Sequence, residues 1–174
     1  MDGRFGFIHE KIDIKILILF ILSRISEPVT LDELASLTLC DGGIGYFDFA
    51  ECVAELISTE HISADGDSYL ITEKGKKNGA ITENTLPYSV RVKAEKSARA
   101  ENKRLRRQSM ISTSRTVRRG GGYTVSMSLS DGLGEIMSLE MLAASEEQAI
   151  ALENGFEDKA EQIFNLVLSK LLEK

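Results

Sequence analysis

ECVAELISTEHISADGDSYLITEKGKK, residues 51–77, decides the fold. With Phe49 just upstream, Val53, Leu56 and Ile57 fall at helical spacing, which predicts an amphipathic helix over about 46–60. The period then changes. Ile62 and Ala64 precede the polar turn Asp65-Gly66-Asp67, and Tyr69 and Ile71 alternate after it, the pattern of a β-hairpin. Thr72-Glu73-Lys74-Gly75 leads on into a short polar helix or turn that ends near Leu86-Pro87.

Upstream, residues 12–26 read as a helix that is apolar nearly all round and therefore central, broken by Glu27-Pro28. Thr30 followed three residues later by Glu33 has the spacing of a capping box and starts a second, short helix to about Leu39. A tight turn at Asp41-Gly42-Gly43 separates it from the third. The apolar run Ile16–Leu22 is far shorter than the roughly 20 residues that span a bilayer, and no signal-peptide pattern surrounds it. The expectation is a cytoplasmic protein with no membrane segment. Cys40 and Cys52 lack CxxC spacing and a histidine cluster, so neither a disulfide framework nor structural zinc is expected.

Downstream, residues 88–109 predict a long, mostly polar helix whose weak apolar face is Ala94, Ala98 and Leu105. Tyr123, Val125, Met127 and Leu129 alternate with polar residues, as do Met137, Leu139 and Met141, which predicts antiparallel strands joined at Asp131-Gly132. Residues 110–118 make a third strand, turned by Gly120-Gly121-Gly122. Ser145-Glu146-Glu147 starts a final helix to about Leu172, with Leu152, Phe156, Ile163, Val167 and Leu171 on one stripe. The fold class is α+β in three parts: helices and a hairpin over 1–87, a connecting helix over 88–109, and a small antiparallel sheet with a long terminal helix over 110–174.

Three helices followed by a two-stranded wing is the element order of a winged helix. The exit YLITEKGKK, Tyr69–Lys77, is similar to the Y-x-L-T-x-x-G exit of winged-helix regulators. The whole chain resembles an uncharacterised bacterial family of proposed transcriptional regulators with an N-terminal winged helix-turn-helix domain. The resemblance rests on that exit, on Leu86-Pro87, on the charged helix after it, and on YTVSMSL…GEIMSLEMLAASEEQAIAL. It implies a DNA-binding regulator that acts as a homodimer.

Charge is laid out unevenly. Residues 1–90 hold seven Lys/Arg against fifteen Asp/Glu, net −8; residues 91–119 hold eleven against two, net +9; residues 120–174 hold three against ten, net −7. Set on a helix, Lys96, Arg99, Lys103 and Arg106 form one stripe about 15 Å long, extended by Arg107. With Arg118 and Arg119 in the following turn, these are the candidate contacts to double-stranded DNA, able to follow a phosphate backbone without reading bases. Neutralisation of the stripe by the acidic segments on either side is the competing reading. The third helix argues against ordinary docking in the major groove, because its outward positions Phe47, Asp48, Ala50, Glu51, Ala54 and Glu55 include no cation. A protein-interaction adaptor built on the same fold is therefore the alternative function. No catalytic constellation, metal set or cofactor motif is present: His9 and His61 lack partners at suitable spacing, and the three-glycine run is not a phosphate loop.

Overall fold

The computed structural model describes residues 7–40 and 42–173, so Asp41 of the expected Asp41-Gly42-Gly43 turn lies outside the described residues. The chain is α+β, with helices first, then small antiparallel sheets and a long last helix. It divides into two compact units, Met1–Lys103 and Arg104–Lys174.

The first unit is organised around α1, Lys11–Leu22, in which Ile14 and every residue from Ile16 to Leu22 are buried. A helix buried on all sides needs neighbours on all sides, and α2 (Leu31–Thr38), α3 (Tyr46–Ser58) and α4 (Glu73–Thr82) supply them. The helix stops at Leu22, short of the expected residue 26, because side chains take over its last carbonyls. The Ser23 hydroxyl and the Arg24 guanidinium both donate to the Phe20 carbonyl, at 2.8 and 3.1 Å. The expected capping box on α2 is present: Thr30 Oγ1 accepts from the Glu33 amide, and the Glu33 carboxylate accepts from the Thr30 amide.

Helix α3 ends at Ser58, two residues before the expected limit. Glu60 takes a left-handed φ of 60°, and the His61 amide reaches back to the Leu56 carbonyl at 2.9 Å. The chain then enters β1 (Ile62–Asp65) and β2 (Ser68–Ile71), paired from Ile62↔Ile71 to Asp65↔Ser68, with Gly66 at positive φ in the turn. Val29 bridges Tyr69 and so ties the segment between α1 and α2 to this hairpin.

The exit from the hairpin has a physical reason for its sequence. Thr72 Oγ1 accepts from the Gly75 amide, capping α4, and donates to the Glu60 carbonyl at 2.7 Å. This cap draws the first turn of α4 against the chain leaving α3. A Cβ on Gly75 would stand 2.1 Å from the His61 carbonyl oxygen. After a single 3-10 turn at Glu83–Thr85, Pro87 precedes α5, Tyr88–Ser109, whose buried residues are Val90, Ala94 and Ala98. Leu105, expected on that face, is half-buried.

The second unit is a three-stranded antiparallel meander, β3 (Ile111–Val117), β4 (Tyr123–Ser130) and β5 (Glu135–Ala143), with α6 (Glu146–Leu172) on one face. Val125, Met127 and Leu129 on the central strand pack with Ala143 and with Ala149, Phe156 and Ala160 of α6. The other face is lined by hydroxyls from Ser112, Ser114, Ser126 and Ser128, held opposite one another by the register. Ser145 caps α6 through the Gln148 amide. The expected α6 stripe holds only part of the way: Leu152, Phe156 and Ile163 pack on the core, whereas Val167 and Leu171 are 39% and 77% exposed. The helix outruns the sheet, so its last apolar residues find no strand beneath them.

Gly75→Ala tests the close approach. An alanine inside a helix ordinarily gains about 1 kcal/mol over glycine. Here the added methyl meets backbone that cannot step aside, and overpacking of this kind costs about 1–3 kcal/mol. A urea melt is expected to show net destabilisation; a neutral or more stable variant would mean that α4 does not lie as close to His61 as described.

Candidate nucleic-acid interface

Helix α5 carries most of the candidate cations. Its buried seam, Val90, Ala94 and Ala98, repeats every four residues. At 100° per residue, Lys96, Arg99, Lys103 and Arg106 then fall on the opposite side, and all four are exposed. Small residues in the seam bring the helix close to its support, which leaves long cationic side chains as the outer surface. Arg99 makes an ion pair with Glu95 at 2.7 Å, one turn away on the same helix. An exposed pair of this kind holds the guanidinium weakly. Lys96, Lys103 and Arg106 make no ion pair among the described residues.

Arg107 is placed differently from its neighbours. Its guanidinium grips Glu161 of α6 with two bonds, 2.8 and 2.9 Å, and also donates to the carbonyls of Glu157 and Asp158. Four acceptors occupy the fork, and the bidentate geometry is the strong form of this contact. Arg107 therefore orders the second unit and does not stand with the exposed stripe. The hydrogen bond from Arg107 holds the Glu161 carboxyl below its ordinary value of 4.5. Arg115, on β3, is likewise committed to Glu153 at 2.5 Å. Arg118 and Arg119 lie exposed beyond the end of β3, where Gly121 and Gly122 turn the chain with positive φ.

The face of α3 is less acidic than its sequence reads. Glu51 pairs with Lys11 at 2.5 Å, and Glu55 pairs with Lys15. The hydrogen bond from Lys15 lowers the Glu55 carboxyl below its ordinary range. These two carboxylates, expected to face outward, do remain solvent-accessible, but each is paired with a lysine of α1. The signal was available, since Lys11/Lys15 and Glu51/Glu55 are both spaced by four, so two helices side by side bring them into register. Besides Glu51, Ala54 and Ser58, α3 exposes two aromatic rings: Tyr46 and Phe47 sit edge to face at its start, with Phe47 88% exposed.

The remaining candidates are structural. His61 uses both ring nitrogens, Nδ1 with Thr59 Oγ1 at 2.8 Å and Nε2 with the Asn78 amide at 2.7 Å. Cys52 is fully buried, and burial pushes its thiol pKa up, which makes it a core residue and a poor nucleophile. Among the described residues no group of three or more His, Cys, Asp or Glu could hold a metal ion, and no helix is long and apolar enough to cross a membrane.

The Arg107–Glu161 grip gives a pH prediction. A carboxyl depressed in the folded state adds stability that is present above its unfolded value of about 4.5 and is lost as pH falls through the lower folded value. Carboxyl NMR of Glu161 is expected to titrate below 4.5 in the wild type and to move back towards 4.5 in Arg107→Gln. An identical midpoint in both proteins would mean that the pair is not formed in solution.

Comparison with the curated proteins and with the solved structures returns no match. Residues 14–171 match the family model described as Domain of unknown function (DUF4364), and the chain belongs to that uncharacterised family.

Proposed function

We propose that this protein is a DNA-binding transcriptional regulator, with a winged helix as its first unit and the exposed face of α5 as its main phosphate contact. The observation that carries the reading is the stripe Lys96, Arg99, Lys103 and Arg106, opposite the buried seam of α5. Duplex DNA carries one charge per roughly 1.7 Å, so a cationic stripe about 15 Å long gains affinity by displacing counterions whatever the base sequence. The winged-helix reading is supported by the order α1, α2, α3, β1, β2, by the capping box on α2, and by the Val29–Tyr69 bridge. The pairing of Glu51 and Glu55 with α1 lysines lowers the electrostatic cost of bringing α3 near phosphate.

A second reading has its own observation. Tyr46 and Phe47 project from the start of α3, 48% and 88% exposed, a composition suited to the centre of a protein interface. In this adaptor reading the winged helix meets a protein partner, and α5 does not touch nucleic acid.

Fluorescence anisotropy of a labelled random duplex separates the two. The wild type is expected to bind at low salt and to weaken steeply as salt rises. In Lys96→Gln/Lys103→Gln/Arg106→Gln, three lost phosphate contacts lower the slope of log affinity against log salt by about 2.7. Phe47→Ala leaves binding unchanged. Absence of wild-type binding at low salt would remove the regulator reading and leave the aromatic face of α3 as the surface to pursue.

A further inference from the structure

We propose that the turn between β3 and β4 is a minor-groove contact, whose Arg118 and Arg119 enter the narrow groove of A·T-rich DNA. The inference rests on the DNA reading above and adds to it a groove and a base composition. Charge singles out this hairpin. Residues 110–130 hold Arg115, Arg118 and Arg119 and no aspartate or glutamate, in a chain with 27 acidic residues. The hairpin of the first unit is the opposite case, since its turn is Asp65-Gly66-Asp67 and repels phosphate.

The turn is slender and fixed at its base. The Gly121 amide donates to the Arg118 carbonyl, and the Arg118 amide to the Gly122 carbonyl, each at 3.1 Å. Arg119 thus stands at the corner of a β-turn. Gly121 and Gly122 have φ of 92° and 75°. A Cβ on Gly122 would lie 2.6 Å from the Ala143 carbonyl oxygen, so the base of the turn is seated against the end of β5. A Cβ on Gly120 or Gly121 would meet nothing within 4 Å, so the tip itself projects. Arg118 and Arg119 are exposed and make no ion pair among the described residues. Glu146 and Glu153 of α6 are already partnered by Arg115.

The sheet behind the tip has a surface of matching chemistry. Val125, Met127 and Leu129 face α6, so alternation puts Thr124, Ser126 and Ser128 on the other side, with Thr116, Ser114 and Ser112 opposite them. Arg118, two residues beyond Thr116, continues that side. Hydroxyls donate to phosphate oxygens whatever the base sequence, and those of Thr116 and Thr124 lie next to the turn. Glu140 also faces this side, beside Ser126 on β5, away from the turn. A three-stranded sheet backed by a helix is too broad to lie in a groove, which leaves the arginine side chains to reach the bases. The narrow minor groove of A-tracts concentrates negative potential and attracts arginine, and its floor lacks the 2-amino group of guanine. Arginine bound to guanine in the major groove is the competing outcome.

Fluorescence anisotropy with three duplexes of equal length tells the grooves apart. One is A·T throughout with A-tracts, one is G·C, and one is inosine·cytosine. The last keeps the major-groove acceptors of guanine and lacks its minor-groove amino group. The wild type is expected to bind the A·T and inosine·cytosine duplexes about fivefold or more tighter than G·C. Arg118→Gln/Arg119→Gln is expected to bind all three equally, with an unchanged circular dichroism spectrum. Lys96→Gln/Lys103→Gln/Arg106→Gln is expected to weaken all three by a common factor and to keep their ratio. Inosine·cytosine bound like G·C, or a preference that survives in Arg118→Gln/Arg119→Gln, would overturn this proposal and leave the α5 contact standing. Absence of wild-type binding to every duplex at low salt would overturn the DNA reading and this inference with it.

Discussion

The burial of α1 on all sides from Ile16 to Leu22 is the constraint on which the first unit depends. Its run of isoleucines, leucines and phenylalanine offers no polar stripe to solvent, so the chain must wrap it from several directions. That requirement explains the otherwise unconnected features around it. The capping box turns the chain into α2, the left-handed Glu60 turns it out of α3, and Thr72 turns it from the hairpin into α4. Each device is local, and each places the next apolar face against the same central helix. Gly79 shows how tight the enclosure is: its Cβ position lies 3.4 Å from the Leu19 side chain on α1.

Charged residues serve two different purposes in this protein, and composition does not tell them apart. Arg107 and Arg115 hold α6 against the sheet edge, where bidentate geometry and several acceptors fix them. Lys11 and Lys15 are engaged with α3. Lys96, Lys103 and Arg106 have no such ion pair among the described residues, and the seam of small residues behind them holds their face outward. Surface pairs of the Arg99–Glu95 kind contribute little to stability and exchange readily for a phosphate. The distinction between committed and free cations carries the functional proposal; the net charge of −6 does not.

Much of the candidate interface is legible in the sequence. The helical positions of Lys96, Arg99, Lys103 and Arg106 follow from spacing alone, because a helix has one period and four residues at 3, 4 and 3 intervals must share a side. The engagement of Arg107 is not legible that way. It lies 54 residues from Glu161, and nothing in the local pattern says that α6 will pass within reach. The same holds for Glu51 and Glu55, whose fate rests on which helix lies beside α3. Their shared spacing with Lys11 and Lys15 is a hint that becomes usable only once the two helices are known to be neighbours.

Element order, caps and the change of period from helix to hairpin to sheet were determined by the sequence itself, because each arises from interactions within a few residues. Thr30 with Glu33, Ser145 with Gln148 and Gly66 in its turn act wherever the rest of the chain goes. Only the tertiary structure decided where elements stop against one another: that Gly75 faces a carbonyl, that acidic side chains on α3 are neutralised by α1, and that α6 outruns its sheet. The reason is range. Hydrogen-bonded caps and hydrophobic periodicity are properties of a short segment. Ion pairing, close approach and exposure are properties of two segments whose meeting is settled by the packing of everything between them.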